Sequence, residues 1–336
     1  MNRRDTITAL LALGAMAGPL RALAQAQPAR RPYRIALLPD FRPAIEPLLK
    51  IFTEALSELG RMEGRDFVFY RSGIFYGDDA DRAVTLVVNE KPDLILGFNL
   101  GYIVAAHKLT KTIPIVMWVS GFPVEGGVAV SLARPGKNVT GLTIYAGAEV
   151  FGKLVQLLRE VKPSVKRIGA LFSYVPPFHP PEESDLIIRE IREAGRILGI
   201  DVRILEIAKP EQVGDALSTV AAERMDALLL TGGLSMVPRR KEIMQFAVEK
   251  RLPTITDGFW RGVDIQPLLS YGAPLAVLIR QAAVYVDRIL WGGAKPGDLP
   301  IQLPAKVELT VNLKTAKAIG LTIPQSILAR VDEVIQ

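Results

Sequence analysis

Side chains that commonly do chemistry are scarce in this sequence. It contains no Cys and two His, His107 and His179. The absence of Cys excludes disulfides, Cys nucleophiles and thiolate zinc sites. The two His are not at metal-ligand spacing, so we interpret both as surface residues rather than as ligands.

Motifs for phosphate binding and for nucleophilic catalysis are incomplete. Lys137 and Lys153 follow Gly, but neither is followed by the Ser or Thr that a phosphate-binding loop requires. Ser235 follows Gly233 at the right spacing, but the closing Gly of a nucleophile elbow is absent. We therefore predict a binding protein with no catalytic residue, no metal and no cofactor.

Residues that follow the predicted strands are more informative. Ligands of open α/β sheets bind beyond the carboxyl ends of the strands. Nine of the 23 aromatic residues fall there, which indicates a cleft for an apolar or flat ligand; alternatively, several of them fill an interface between two lobes. The predicted ligand-binding residues are Phe98, Asn99, Ser120, Phe122, Tyr174, Thr231, Gly232, Asp257, Trp260 and Tyr271.

Some of these residues have two interpretations. Asp257 suits a ligand ammonium, but Asp-Gly is also a strong turn signal. The segment Ser270–Gly272 either ends a strand at the cleft or serves as a hinge, where small residues absorb backbone rotation. The Gly232–Gly233 pair would let a ligand approach the backbone closely.

Alternating strands and helices must position these residues. Short apolar runs at 34–38, 67–70, 93–97, 113–118, 165–172, 201–207, 226–230, 253–256 and 307–311 predict strands. Apolar residues at helical spacing between them predict helices, for example at 45–59, 79–89, 187–198, 211–223 and 275–291. Strands that are apolar throughout are typical of a parallel sheet covered on both faces. The fold class is therefore α/β, with two doubly wound parallel-sheet lobes.

We divide the chain into four segments. Residues 1–26 are a predicted signal peptide, 33–145 the N-terminal lobe and 146–275 the C-terminal lobe. Residues 276–336 form a tail of helix, loop, strand and two short helices, whose elements the sequence does not assign to either lobe.

The first 26 residues have the three parts of a secretory signal. A basic start is followed by a 14-residue apolar run from Ile7 to Leu20, which is shorter than the roughly 20 residues that span a bilayer. Cleavage is expected after Ala24 or Ala26. The pair Arg3-Arg4 partly resembles a twin-arginine signal, so the export route stays open.

The charge pattern is not typical of a nucleic-acid-binding protein. The chain has 336 residues, with 41 Lys and Arg and 35 Asp and Glu, a formal net charge of +6. Without the predicted signal, 38 basic and 34 acidic residues remain, and no block of five like charges occurs. We expect a solvated surface.

Several segments, in order along the mature chain, resemble the ABC-transporter substrate-binding proteins of tryptophan and tyrosine uptake systems. The matching segments are 112–116, 131–141, 226–230, 270–272, 294–300 and 307–324. The resemblance implies a fold like that of type I periplasmic binding proteins: two lobes, a hinge of several crossovers and a ligand in the cleft. It also implies a periplasmic monomer that delivers a small solute to a permease and meets the membrane only there.

Two departures from that family lie in the predicted cleft. Many relatives have Asp-Pro-Val where this chain has Phe122-Pro123-Val124, and an Asn-containing loop where this chain has residues 173–178. Both changes replace polar groups with aromatic ones, which favours a ligand flatter or more apolar than a plain amino acid. Two alternatives stay open: a sensor that docks on a membrane receptor, and an exported α/β enzyme.

Overall fold

Two sheets organise the computed structural model, which describes residues 31–39, 45–71, 80–174, 179–232, 235–258 and 266–336. Met1–Pro32 and Tyr33–Gln336 are separate units, and both sheets belong to the second. The predicted signal peptide lies outside the described residues.

The first sheet has five parallel strands in the order β2-β1-β3-β4-β5. Its strands and the helices between them are β1 (Tyr33–Leu38), α1 (Glu46–Glu58), β2 (Phe67–Arg71), α2 (Ala80–Asn89), β3 (Leu94–Phe98), α3 (Leu100–Leu109), β4 (Ile115–Val119) and β5 (Val139–Gly141). Every residue of β3 is buried, as expected for a strand with helices on both faces.

The second sheet has seven strands in the order β12-β11-β10-β9-β8-β6-β7. In chain order its elements begin with α4 (Glu149–Val161), β6 (Arg167–Phe172), α5 (Pro181–Leu198), β7 (Asp201–Glu206), α6 (Val213–Ala222), β8 (Ala227–Thr231), α7 (Arg240–Glu249), β9 (Thr254–Thr256) and β10 (Leu269–Gly272). The β10–β11 pair is antiparallel and the other pairs are parallel. The predicted fold class, two parallel-sheet lobes, is confirmed.

The tail serves both lobes. Its elements are α8 (Leu275–Leu290), β11 (Glu308–Asn312), α9 (Leu313–Ile319), α10 (Gln325–Leu328) and β12 (Glu333–Ile335). Helix α8 packs against α1 and β4 of the first lobe, where Arg61 lies 2.7 Å from Asp287 and over the ring of Trp291. Strands β11 and β12 extend the second sheet, so the chain passes between the sheets three times, after β5, after β10 and before β11.

The segment 270–272, for which the sequence indicated either a strand end or a hinge, lies within a strand. Ser270–Gly272 belongs to β10, where Ser270 pairs with Thr256 on one side and with Thr310 on the other. Pairing with the distant β11 supplies the stability that the local sequence does not indicate. The lobe limits at 33–145 and 146–275 stay predictions.

Candidate functional site

The carboxylate of Asp257 is the centre of a buried polar cluster at the ends of the second-lobe strands. Asp257 directly follows β9 and is 4% exposed. Its Oδ2 accepts three hydrogen bonds of 2.9 Å, from the hydroxyls of Tyr145 and Tyr174 and from the backbone N–H of Gly232. The Thr256 hydroxyl donates to Oδ1 at 3.3 Å. The two tyrosine hydroxyls also contact each other.

Burial and charge have opposite effects on these groups. Burial raises the pKa of Asp257, and the hydrogen bonds from Gly232 and the two tyrosines act against that rise by favouring the carboxylate. Burial, followed by the charge of Asp257, raises the pKa of Tyr145 and of Tyr174 well above the usual value. Both tyrosines therefore stay protonated as donors.

Aromatic rings surround the cluster. Phe122, from the first lobe, stacks on Tyr145 with centroids 5.6 Å apart and planes 20° apart. Phe151 of α4 contacts the rings of both Tyr145 and Tyr174, at 4.9 and 5.9 Å. Stacked and edge-to-face rings at these distances attract one another and offer a flat apolar wall.

Three further polar side chains connect the lobes. His179 Nδ1 lies 2.8 Å from Glu183 Oε2, and His179 Nε2 lies 3.3 Å from the amide nitrogen of Asn99. Asn99 directly follows β3 of the first lobe, whereas in the second lobe His179 precedes α5 and Glu183 lies in its first turn. All three side chains are buried, and each has a polar partner, as buried polar groups usually do.

Ser120 carries a buried hydroxyl that is 3% exposed and has no hydrogen-bond partner among the residues the structure describes. Ser120 follows β4 and precedes Gly121, where a Cβ would lie 2.9 Å from the Tyr145 ring and 3.4 Å from Glu183 Oε1. A buried donor without a partner costs free energy. Its position between the lobes points to a partner that arrives with a ligand.

Gly232 and Phe122 adopt left-handed backbone conformations in the cluster. Gly232 has φ of +70°, and a Cβ there would lie 2.6 Å from Ser173 Oγ and 2.8 Å from the Tyr174 ring. Phe122 has φ of +47°, which is uncommon for a bulky residue. Such strain is often found at ligand sites.

The structure places six predicted site residues in this region: Asn99, Ser120, Phe122, Tyr174, Gly232 and Asp257. Phe98 is buried in β3 and packs edge-on against Trp118, at 6.1 Å. The Thr231 hydroxyl donates to the carbonyl of Leu171 within the sheet. Tyr271 lies in β10 opposite Leu309. Trp260 lies outside the described residues.

Sequence reasoning missed Tyr145, Glu183 and the role of His179. The interpretation of His179 as a surface residue is wrong, because its side chain is buried against Glu183 and the Tyr174 ring. No helical spacing rule could have found the pair, because His179 precedes the helix Pro181–Leu198 that contains Glu183.

Phe122 and Tyr145 also border a cavity of about 500 Å³ whose walls come from both lobes and from the crossovers. Val124 and Leu132 line it from the first lobe, and Leu186 of α5 lines it from the second. Such a volume is within the range of small-molecule sites.

Among the described residues, no three His, Asp or Glu side chains are grouped as metal ligands. Within the same residues, the helices are too short or too polar to cross a membrane.

Comparison with known proteins gives a consistent result. The family model described as ABC transporter substrate binding protein matches residues 42–335. A tyrosine-binding protein of Clostridioides difficile is 22% identical over 289 residues, which are 83% of this chain and 78% of that protein.

Solved structures show the same fold. The L-Trp complex of an ABC domain from Streptococcus pneumonia has a TM-score of 0.77 and 22% identity, and the match covers 91% of this chain and 100% of that one. A conserved domain protein from Vibrio cholerae has a TM-score of 0.77 and 25% identity, with 90% of this chain and 100% of that one covered.

Proposed function

Because the chain belongs to the ABC transporter substrate binding protein family, we propose that it captures a small aromatic or apolar ligand between its lobes and delivers it to a transporter permease. The observation that carries this proposal is the buried Ser120 hydroxyl, which has no partner among the described residues and precedes Gly121, the residue that faces Tyr145 and Glu183. The tyrosine and tryptophan named for two similar proteins support an aromatic ligand.

Lobe closure is the proposed mechanism. The lobes exchange between open and closed forms, and a ligand that contacts both lobes favours the closed one. Asn99, Ser120 and Phe122 come from the first lobe, whereas Tyr174 and Asp257 come from the second. The proposed ligand would stack on the rings and satisfy Ser120, and its departure at the permease would let the lobes reopen.

Export belongs to the same proposal. Residues 1–26 would direct the chain to the periplasm and be removed after Ala24 or Ala26. Mass spectrometry of the mature protein from a periplasmic extract tests this. An intact N-terminus, or protein found only in the cytoplasm, would overturn it.

Binding is tested by thermal melting and tryptophan fluorescence with aromatic amino acids, aromatic amines, aromatic acids and aliphatic amino acids. We expect at least one aromatic class to raise Tm and change the fluorescence. The variant Phe122→Leu keeps an apolar side chain but loses the stacking ring, and should bind that class more weakly. A folded protein that responds to no ligand overturns the proposal.

Delivery needs a separate test. The ligand-loaded protein should be captured by an ABC permease of its own host and should stimulate the ATPase of that transporter in proteoliposomes. Ligand binding without capture by any permease would reject delivery and leave a receptor-docking role.

A further inference from the structure

In the part that the structure describes, the cluster between the lobes has more acidic groups than basic ones. Asp257 and Glu183 are 4% and 1% exposed. Glu183 pairs with the His179 imidazole at 2.8 Å, whereas the four groups that donate to Asp257 are neutral hydroxyls and a backbone N–H. Among the described residues, no Lys or Arg forms an ion pair with either carboxylate. With Asp257 ionised, the cluster is therefore negative even when His179 is protonated.

Both carboxylates act on the same space. Glu183 Oε1 approaches Gly121 across the lobe boundary, beside the Tyr145 ring. The charges of Asp257 and Glu183 both contribute to the raised pKa of Tyr145 and of Tyr174. Asp257 thus contacts both tyrosine hydroxyls, while Glu183 and the Tyr145 ring both lie near Gly121, the residue that follows Ser120.

A buried carboxylate without a cation is costly, because its neutral donors replace only part of the lost hydration. A ligand ammonium would supply the missing charge. A ligand carboxylate in the same space would instead face two like charges, which disfavours binding. The cluster therefore discriminates between ligands by charge, separately from the aromatic wall that recognises the ring.

On this basis, and resting on the function proposed above, we infer that the preferred ligand is a protonated aromatic amine without a carboxylate. Its ring would lie against Phe122 and Tyr145, and its ammonium would be directed toward Asp257. The Ser120 hydroxyl would gain a partner on the ligand. The ligand would then differ from the amino acids named for the similar proteins in its charge, while sharing their aromatic ring.

Three probes with one ring test this inference: tryptamine, tryptophan and indole-3-propionate, which are a cation, a zwitterion and an anion at pH 7. Isothermal titration calorimetry with the full mature protein gives the three affinities. We expect tryptamine to bind at least about tenfold more tightly than tryptophan, because both carry the ammonium but only tryptophan carries a carboxylate that would face the like charges of Asp257 and Glu183. Indole-3-propionate should bind more weakly than both.

Variants locate the source of the selectivity. Asp257→Asn should lower the ratio of tryptamine to tryptophan affinity to near one, and Glu183→Gln should reduce it to a smaller extent. The matched control is Asp287→Asn, since Asp287 pairs with Arg61 where α8 packs on the first lobe; this variant should keep the ratio. The unsubstituted protein decides the inference even where a variant does not fold.

The outcomes separate this inference from the proposed function. Tryptophan or indole-3-propionate binding as tightly as tryptamine would overturn the amine preference and leave the proposed function in place. Failure of the full aromatic panel, these probes included, to bind a folded protein would overturn both. Loss of the preference in Asp287→Asn as well as in Asp257→Asn would show that general surface charge, and not the buried cluster, sets it.

Discussion

Removal of the Tyr145 hydroxyl would test whether three neutral donors hold a buried carboxylate in place. The variant Tyr145→Phe keeps the ring, so the stack on Phe122 and the contact with Phe151 remain. It removes the 2.9 Å hydrogen bond to Asp257. Tyr174 and the Gly232 N–H continue to donate to the same oxygen.

The size of the effect follows from the charge on the acceptor. Hydrogen bonds to charged groups contribute about 1.5–3 kcal/mol, roughly twice the contribution of neutral ones. Because two donors to Oδ2 remain, we expect the free energy of unfolding to fall by about 2 kcal/mol at pH 7. An unfolding entropy of about 2.1 cal/mol/K per residue over roughly 310 residues gives about 1.5 °C per kcal/mol, so Tm should fall by about 3 °C.

Urea unfolding followed by tryptophan fluorescence measures this change. The matched control is Tyr285→Phe, whose hydroxyl donates to a neutral acceptor, the carbonyl of Pro300. Removal of the Tyr285 hydroxyl should lower the free energy of unfolding by about 1 kcal/mol at any pH between 4 and 7. The cost of Tyr145→Phe should become smaller as the pH falls through the raised pKa of Asp257, since protonation makes that acceptor neutral too.

Two results would refute this reasoning. Equal losses in the two variants at pH 7 would mean that Asp257 is not charged in the folded protein. A loss in Tyr145→Phe that stays constant down to pH 4 would show that the hydroxyl contributes through packing instead. In both cases the electrostatic account of the cluster would have to be abandoned.

Substitutions at four positions have defined outcomes. Burial raises the folded-state pKa of Asp257 above its ordinary value of 3.8. Protonation of Asp257 therefore stabilises the folded protein fully below pH 3.8, and this stabilisation is lost as the pH rises through the folded-state pKa. Urea unfolding from pH 4 to 7 should show the wild type losing stability relative to Asp257→Asn. Asn99 has φ of +65°, so Asn99→Gly should be about 1 kcal/mol more stable to urea than Asn99→Ala, while calorimetry shows weaker ligand binding for both. In Gly232→Ala the free energy of unfolding in urea should fall by about 2 kcal/mol, because the new Cβ would collide with Ser173 and Tyr174. In Ser120→Ala the free energy of unfolding should be unchanged or higher, while the affinity for the best ligand of the panel falls about fivefold; a loss of stability without a loss of affinity would contradict the ligand-facing role.

Much of the fold could be predicted because the two lobes depend on local patterns. The run at 93–97 predicted a buried strand, and β3 occupies Leu94–Phe98. The apolar spacing at 275–291 predicted a helix, and α8 occupies Leu275–Leu290. Short continuous apolar runs and helical periodicity are properties of neighbouring residues, so they can be recognised without the rest of the chain.

The elements that sequence reasoning missed depend on distant partners. Strand β10 reads locally as Ser-Tyr-Gly, a turn-like composition, and becomes a strand because β9 and β11 pair with its two edges. The return of α8 to the first lobe depends on packing against α1, more than 200 residues earlier, with the ion pairs Arg280–Glu58 and Arg61–Asp287 at that contact. Neither the strand pairing nor the helix packing produces a periodic pattern in the local sequence that would predict it.

The aromatic residues near strand ends do not all face the cleft, so position along the strand alone does not predict a ligand-binding ring. Phe98 and Trp118 both stand near the carboxyl end of a strand, yet their rings pack on each other in the first lobe, and Trp118 also meets Phe52 of α1. Residues in a strand alternate between its two faces, so proximity to the strand end does not decide which way a ring points. Phe122 lies three residues beyond β4, where that alternation no longer holds, and its ring meets Tyr145.

Tyr145 was missed for a different reason: the rule that ligands bind beyond strand ends applies to it, but the strand that precedes it was not predicted. A ligand site at the carboxyl ends of parallel strands should include residues that follow β5, and Tyr145 lies four residues after Gly141. Strand β5 has only three residues, Val139–Gly141, and is held by pairing with β4. The local sequence predicts no strand at 139–141, so the rule does not extend to the residues that follow it. The residue that joins Phe122 of one lobe to Asp257 of the other therefore lies on a crossover whose position is set by a pairing that the local sequence does not reveal.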